Sequence, residues 1–303
     1  MVGLWTTMIG EVRLSASVNG LLTPFRSVPT TLQRFCLPLF FHHDDDVYDL
    51  GYSGSSLLFR QKGHNFQLST KHQLRSGKEI RNPGETCILV EREKGHVALS
   101  PNGASRVRVG GDDLLPQDIL LLEYDSMRGE HDLQPRFLQL DLDETRAFSE
   151  VPADSIRLVF SIGYPFAFQE YAPEFDEDYN ATSLRVISRV SKLYFNEHSI
   201  RQSYEDSRLA IKVHEQYRND IGNPNGWSGA PIFFLWSDES QDNHLGFGGM
   251  ITHGSSTGGF LVYRAEDIRT VVSGVIATPY RSAKEQEADT EISAPQSSVR
   301  KGA

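Results

Sequence analysis

At 303 residues, with 39% hydrophobic and 23% charged side chains, the chain is long and apolar enough for one large domain or two small ones around a packed core. Its net charge of −10 and the lack of a long basic run argue against a nucleic-acid binder, whose affinity comes mostly from neutralising phosphates. No apolar run approaches the roughly 18 residues of a membrane span, and the first 14 residues lack a basic start, so a soluble, cytoplasmic protein with no membrane partner is expected.

Residues 1–34 read as an N-terminal extension. Cys36 and Cys87 both sit in apolar settings and read as buried thiols, a single disulfide between them being the alternative. Two cysteines suit a reducing compartment. The acidic run 44–46 and the cluster 174–178 lack the regular spacing of a calcium loop and read as solvated loops. His42 and His43 are adjacent, without the spacing of a metal site on a helix, so no metal is expected there.

Short apolar runs dominate the chain: 56–59, 66–68, 87–90, 119–122, 137–140, 156–162, 232–235 and 259–263. Each is too short for a helix, most are rich in Val, Ile, Leu and Phe, and Gly, Asn, Asp and Pro separate them, which predicts buried or half-buried strands. Val107 and Val109 alternate with polar neighbours before Gly110 and Gly111, a strand and its turn. Residues 182–194 alternate and read as one strand. Helical spacing is clearest over 265–273, where Ala265, Ile268, Val271 and Val272 share a face and Glu266 and Asp267 suit the first turn. From residue 281 apolar side chains thin out, which predicts a disordered tail over 281–303. Many short strands and frequent turns point to an all-β sandwich or barrel.

The segment Gly222-Asn-Pro-Asn-Gly-Trp-Ser-Gly-Ala-Pro231 sets Ser228 in a glycine-rich turn ahead of an apolar strand. Acyl transfer by serine needs an exposed hydroxyl on a tight turn and backbone N–H groups aimed at the developing oxyanion. Gly226 can turn its amide into such a hole beside that of Ser228, and Gly229 is expected to let substrate approach closely. A serine also needs a base, and the base needs a carboxylate to fix its tautomer. Phe66-Gln-Leu-Ser-Thr-Lys-His72 places a histidine at the end of a strand, and Gln117-Asp-Ile-Leu-Leu-Leu122 places Asp118 at the start of one.

These segments, in the chain order His72, Asp118, Ser228, resemble the trypsin-like (chymotrypsin-fold) serine peptidases. Further stretches are similar to the same family: Gly54-Ser-Ser-Leu-Leu-Phe59 before the histidine; Ser161-Ile-Gly-Tyr-Pro165, which resembles bacterial-type members; Gly249-Met-Ile-Thr-His-Gly254, like the strand lining the specificity pocket; and Gly259-Phe-Leu-Val-Tyr263, like the pocket's last wall. Thr70 and Lys71 stand where the family commonly has two small residues. The resemblance covers roughly residues 35–275. It implies two six-stranded antiparallel β-barrels, 35–150 with the histidine and aspartate and 151–280 with the serine, closed by a C-terminal helix. It also implies a serine endopeptidase needing no cofactor, whose partner is a protein or peptide substrate. His72 would be the general base, Asp118 its orienting acid, Ser228 the nucleophile, and the amides of Gly226 and Ser228 the oxyanion hole.

Gly222, at the pocket floor, and Thr252, His253 and Gly254, on the pocket strand, would meet substrate. An uncharged floor favours a small or apolar side chain over Lys or Arg. His253 is read as an exposed rim residue, with preference for an acidic side chain as the alternative. Trp227 occupies the position where the animal digestive enzymes carry the Asp that pairs with a newly cut N-terminus, so activation by that ion pair is not expected. Control would then come from a partner, a ligand or the N-terminal 34 residues. Two other readings use the same residues: an inactive trypsin-like scaffold that binds a protein, and a β-rich binding protein of unrelated ancestry.

Overall fold

The computed structural model describes residues 15–42, 50–76, 79–91, 96–106, 118–128, 131–203, 208–221 and 223–278. The expectations for residues 1–14, 43–46, 107–111, Gly222 and 281–303 lie outside the described residues.

The described residues begin with a hairpin, β1 (Ser15–Val18) and β2 (Leu21–Pro24), and a short helix, α1 (Val28–Leu32). Strands β3 (Cys36–His42), β4 (Leu50–Gln61), β5 (His64–Thr70), β6 (Thr86–Glu91), β7 (His96–Leu99), β8 (Gly103–Arg106) and β9 (Ile119–Tyr124) then form one sheet in the order β8-β9-β5-β4-β3-β6-β7. Only residues 100–102 separate β7 from β8, so the two are halves of one bent strand. One half pairs with β6 and the other with β9, which closes a six-stranded antiparallel barrel.

The second barrel repeats that strand order. Strands β10 (Ile156–Gly163), β11 (Gln169–Phe175), β12 (Ala181–Ser188), β13 (Ser191–Phe195), β14 (Leu209–Lys212), β15 (Pro231–Ser237), β16 (Asn243–Gly254) and β17 (Gly259–Arg264) follow in the chain, then α2 (Ala265–Ala277). The sheet runs β13-β10-β15-β16-β17-β14 and is closed where Phe195 bridges to Val213. β11 and β12 pair only with each other, as a separate ribbon. The fold is therefore all-β, with two six-stranded antiparallel barrels of the chymotrypsin type and a C-terminal helix.

The apolar runs are continuous because both faces of the inner strands are buried. Along β4, Leu58 points into the first barrel with Phe41 and Leu120, while Leu57 and Phe59 join a core shared with Phe160, Phe233 and Met250 of the second barrel. Along β15, Ile232 and Phe234 fill the second barrel, and Phe233 and Leu235 face the shared core. Period-2 alternation thus sorts apolar side chains between two cores instead of between core and solvent.

Three expectations shift. Residues 182–194 do not form one strand: β12 belongs to the ribbon and β13 to the barrel, with a break at Arg189 and Val190. Of 137–140, only Leu138–Gln139 pairs, parallel to β4. The helix runs four residues past 273, because Val275 and Ile276 continue the stripe that Ile268 and Val272 lay on the shared core. Cys36 and Cys87 are both buried, with no disulfide. Burial pushes the Cys36 thiol far above the ordinary thiol range, which keeps it protonated and unreactive.

Candidate functional site

The antiparallel register of β5 and β9 brings together residues far apart in the chain. Thr70 lies opposite Ile119, so the residues just beyond β5 meet the residue just before β9. A single 3₁₀ turn, Lys71–Leu74, caps the end of β5 and carries His72. Asp118 grips this turn three ways. Its carbonyl accepts from Lys71 N (2.8 Å), Oδ1 accepts from His72 N (2.8 Å), and Oδ2 lies 2.6 Å from His72 Nδ1. A carboxylate facing Nδ1 makes that nitrogen the proton carrier and leaves Nε2 with its lone pair. Thr70 Oγ1 lies 3.4 Å from Nε2.

Ser228 sits on the turn ahead of β15. Gly226 (φ +93°) and Gly229 (φ +83°) both adopt the left-handed backbone that favours glycine. The turn is pinned on one side by Gly229 N donating to Ile251 O and Ile251 N to Ala230 O, each 2.9 Å, and on the other by Phe166 N donating to Asn225 O at 2.9 Å. Among the described residues no protein acceptor takes the amides of Gly226 and Ser228, so two N–H groups of one turn are open for a ligand oxygen. A Cβ at Gly229 would lie 2.0 Å from Ser55 O. That glycine therefore admits the first barrel's backbone, and not substrate as the sequence suggested.

Trp227 is 1% exposed and packs edge-on against Phe260 inside the second barrel. Gly163 makes room for it, since a Cβ there would come within 2.7 Å of the indole. The serine turn is thus anchored by an apolar plug.

The two halves of the site meet across the barrel interface. Ser228 O accepts from Ser55 N (3.0 Å) and from Gln73 Nε2 (2.6 Å), and Gln73 directly follows His72. The ring of His253, next to Thr252, lies 5.6 Å from that of His72. Ser228 Oγ, however, donates to Thr252 O at 2.9 Å, and no hydrogen bond joins it to His72.

On the expected pocket strand, Thr252 is buried and donates from Oγ1 to Leu261 O (3.1 Å), while His253 is exposed. A Cβ at Gly254 would lie 2.5 Å from the Phe260 ring, so this glycine serves packing as well as access. Arg208 reaches both Thr252 Oγ1 (3.2 Å) and His253 Nδ1 (3.1 Å), bringing a cation to the rim. Arg208 and Gln73 were not singled out from the sequence. Arg208 carried no signal, whereas Gln73 was marked only by adjacency to His72.

Among the described residues, no group of three or more His, Cys, Asp or Glu side chains could hold a metal, and no helix is long and apolar enough to cross a membrane. No protein-family model matches the chain, and no curated protein matches it. Among solved structures, the chain is similar to human heparin binding protein, at 15% sequence identity and a TM-score of 0.48, with 82% of this chain and 94% of that one covered.

Proposed function

We propose that this chain is a serine endopeptidase of the trypsin-like family, nearest to its bacterial-type members, acting through His72, Asp118 and Ser228. The observation that carries this reading is the His72 Nδ1–Asp118 Oδ2 contact of 2.6 Å, facing across the barrel interface a glycine turn whose Gly226 and Ser228 amides have no acceptor among the described residues. In this mechanism Nε2 of His72 takes the Ser228 proton as Oγ attacks a peptide carbonyl. The amides of Gly226 and Ser228 hold the oxyanion, and Asp118 stabilises the imidazolium. His72 then protonates the leaving amine, and water repeats the cycle on the acyl-enzyme. Trp227 supports a turn formed without an activating ion pair. Thr252, His253 and Gly254 would line the substrate's path.

The proposal includes a cytoplasmic location, a reading that the two buried, unpaired thiols of Cys36 and Cys87 support. One observation favours control by a partner or by the scaffold reading: the resting Ser228 hydroxyl is held by Thr252 O.

Fluorophosphonate labelling of the intact protein beside Ser228→Ala and His72→Ala tests the proposal. Labelling is expected in the wild type and lost by about 10⁴–10⁶-fold in turnover in both variants. A wild type that stays unlabelled, even in lysate of its native host, would leave a protein-binding scaffold in place of the enzyme.

A further inference from the structure

Gln73 is buried, and its side-chain amide is fully used. Oε1 accepts from Thr70 N (3.1 Å) and from the Ser69 hydroxyl, and Nε2 donates to Ser55 O (3.2 Å) and Ser228 O (2.6 Å). An amide offers two donors and two lone pairs, and all four are engaged. The backbone carbonyl of Gln73 accepts from the Ser53 hydroxyl as well.

Two glycines make room for this side chain. A Cβ at Gly54 (φ +142°) would lie 2.1 Å from Gln73 Nε2, and one at Gly229 would lie 3.0 Å from Oε1. The bonded groups come from both barrels: Ser55, Ser69 and Thr70 from the first, Ser228 from the second. Gln73 is covalently next to the base, and its Nε2 is one hydrogen bond from the carbonyl of the nucleophile's own residue.

We propose that Gln73 is a positioning residue that sets the placement of His72 relative to Ser228 across the barrel interface; this rests on the serine-peptidase reading. The proton donor and acceptor sit on different barrels, and displacing one by about 1 Å costs about 100-fold in rate. A flexible interface cannot hold that tolerance, but a buried amide with every bond made can. Gln73 touches no reacting atom, so it acts through the two residues it joins.

Two variants test it, both in the full-length protein. Gln73→Met keeps the length of the side chain and removes every hydrogen bond. Its fluorophosphonate labelling rate is expected to fall about 100-fold, with kcat on a peptide substrate falling and KM unmoved. Gln73→Glu distinguishes positioning from packing. While the introduced carboxyl is protonated it can still donate to Ser228 O. Once ionised it faces two carbonyl oxygens, so labelling should fall away from the wild-type profile on the side of the pH scale where the carboxyl is ionised.

A readout independent of the chemistry is the proton NMR signal of His72 Nδ1–H on Asp118. It should be sharp in the wild type and broadened by exchange in Gln73→Met, whether or not Ser228 labels. An unlabelled wild type with that broadening would defeat the peptidase reading and leave the strut standing. An unchanged His72 signal in Gln73→Met, or a Gln73→Glu profile parallel to the wild type, would overturn the proposal.

Discussion

The two barrels share one strand order yet hold their parts of the site by opposite means. The first presents His72 through polar contacts: a capped turn and three hydrogen bonds accepted by Asp118. The second presents Ser228 through its backbone: main-chain hydrogen bonds pin the turn, two left-handed glycines shape it and a buried tryptophan lies beneath it. Directional bonds fix a side chain's orientation and tautomer, which a base requires. Packing fixes a backbone and leaves its N–H groups unspent, which an oxyanion site requires. Under the proposed function, the division of labour follows from what each half would offer a substrate.

The largest effect is expected from Asp118→Asn. The amide keeps the size of the carboxylate but offers Nδ1 the wrong partner or tautomer. Turnover should drop about 10⁴-fold while the thermal midpoint moves little. A large loss of stability would mean that Asp118 serves chiefly to hold the first barrel together.

Trp227→Ala should show the reverse order of effects. Emptying so large a buried site costs about 3–5 kcal/mol, read by chemical denaturation, and labelling should fall with it as the turn loses its floor. Full labelling in a destabilised variant would separate the plug from the geometry of the turn.

The smallest effect concerns the link between the barrels and α2. Arg269 makes a two-point pair with Glu150 (2.8 and 3.1 Å) and also reaches Thr145 O (3.0 Å). The Arg269 guanidinium, followed by the Ala147 amide, holds the Glu150 carboxyl down at about 2 against partial burial. A carboxyl depressed on folding contributes stability that is complete above its unfolded value, about 4.3, and is lost as pH falls through the folded one. Glu150→Gln should therefore cost about 1 kcal/mol at neutral pH, with the gap to the wild type closing between about pH 4 and 2. A gap that persists at pH 2 would assign the effect to packing instead of charge.

Much of the fold was legible because buried strands write themselves as short apolar runs between turn residues, and because His72, Asp118 and Ser228 each sit at a strand end with a recognisable neighbourhood. The β11–β12 ribbon was not legible. Its acidic tip read as loop, and nothing local separates a ribbon strand from the barrel strand that follows it. Gln73 was missed for a different reason: a polar residue beside a histidine looks like surface until Gly54 and Gly229 are seen closing over it.

Most of the buried barrel strands, the order of the three chemical groups and the glycines that the serine turn requires are written in the sequence, since these follow from burial periodicity and from backbone freedom. Tertiary structure alone decided which apolar face serves a barrel and which the shared core, that Gly229 admits Ser55 O, and that the Ser228 hydroxyl rests on Thr252 O. Those facts depend on contacts between segments far apart in the chain, Ser55 and Gly229 being 174 positions apart, and a contact at that range leaves no local mark on either segment.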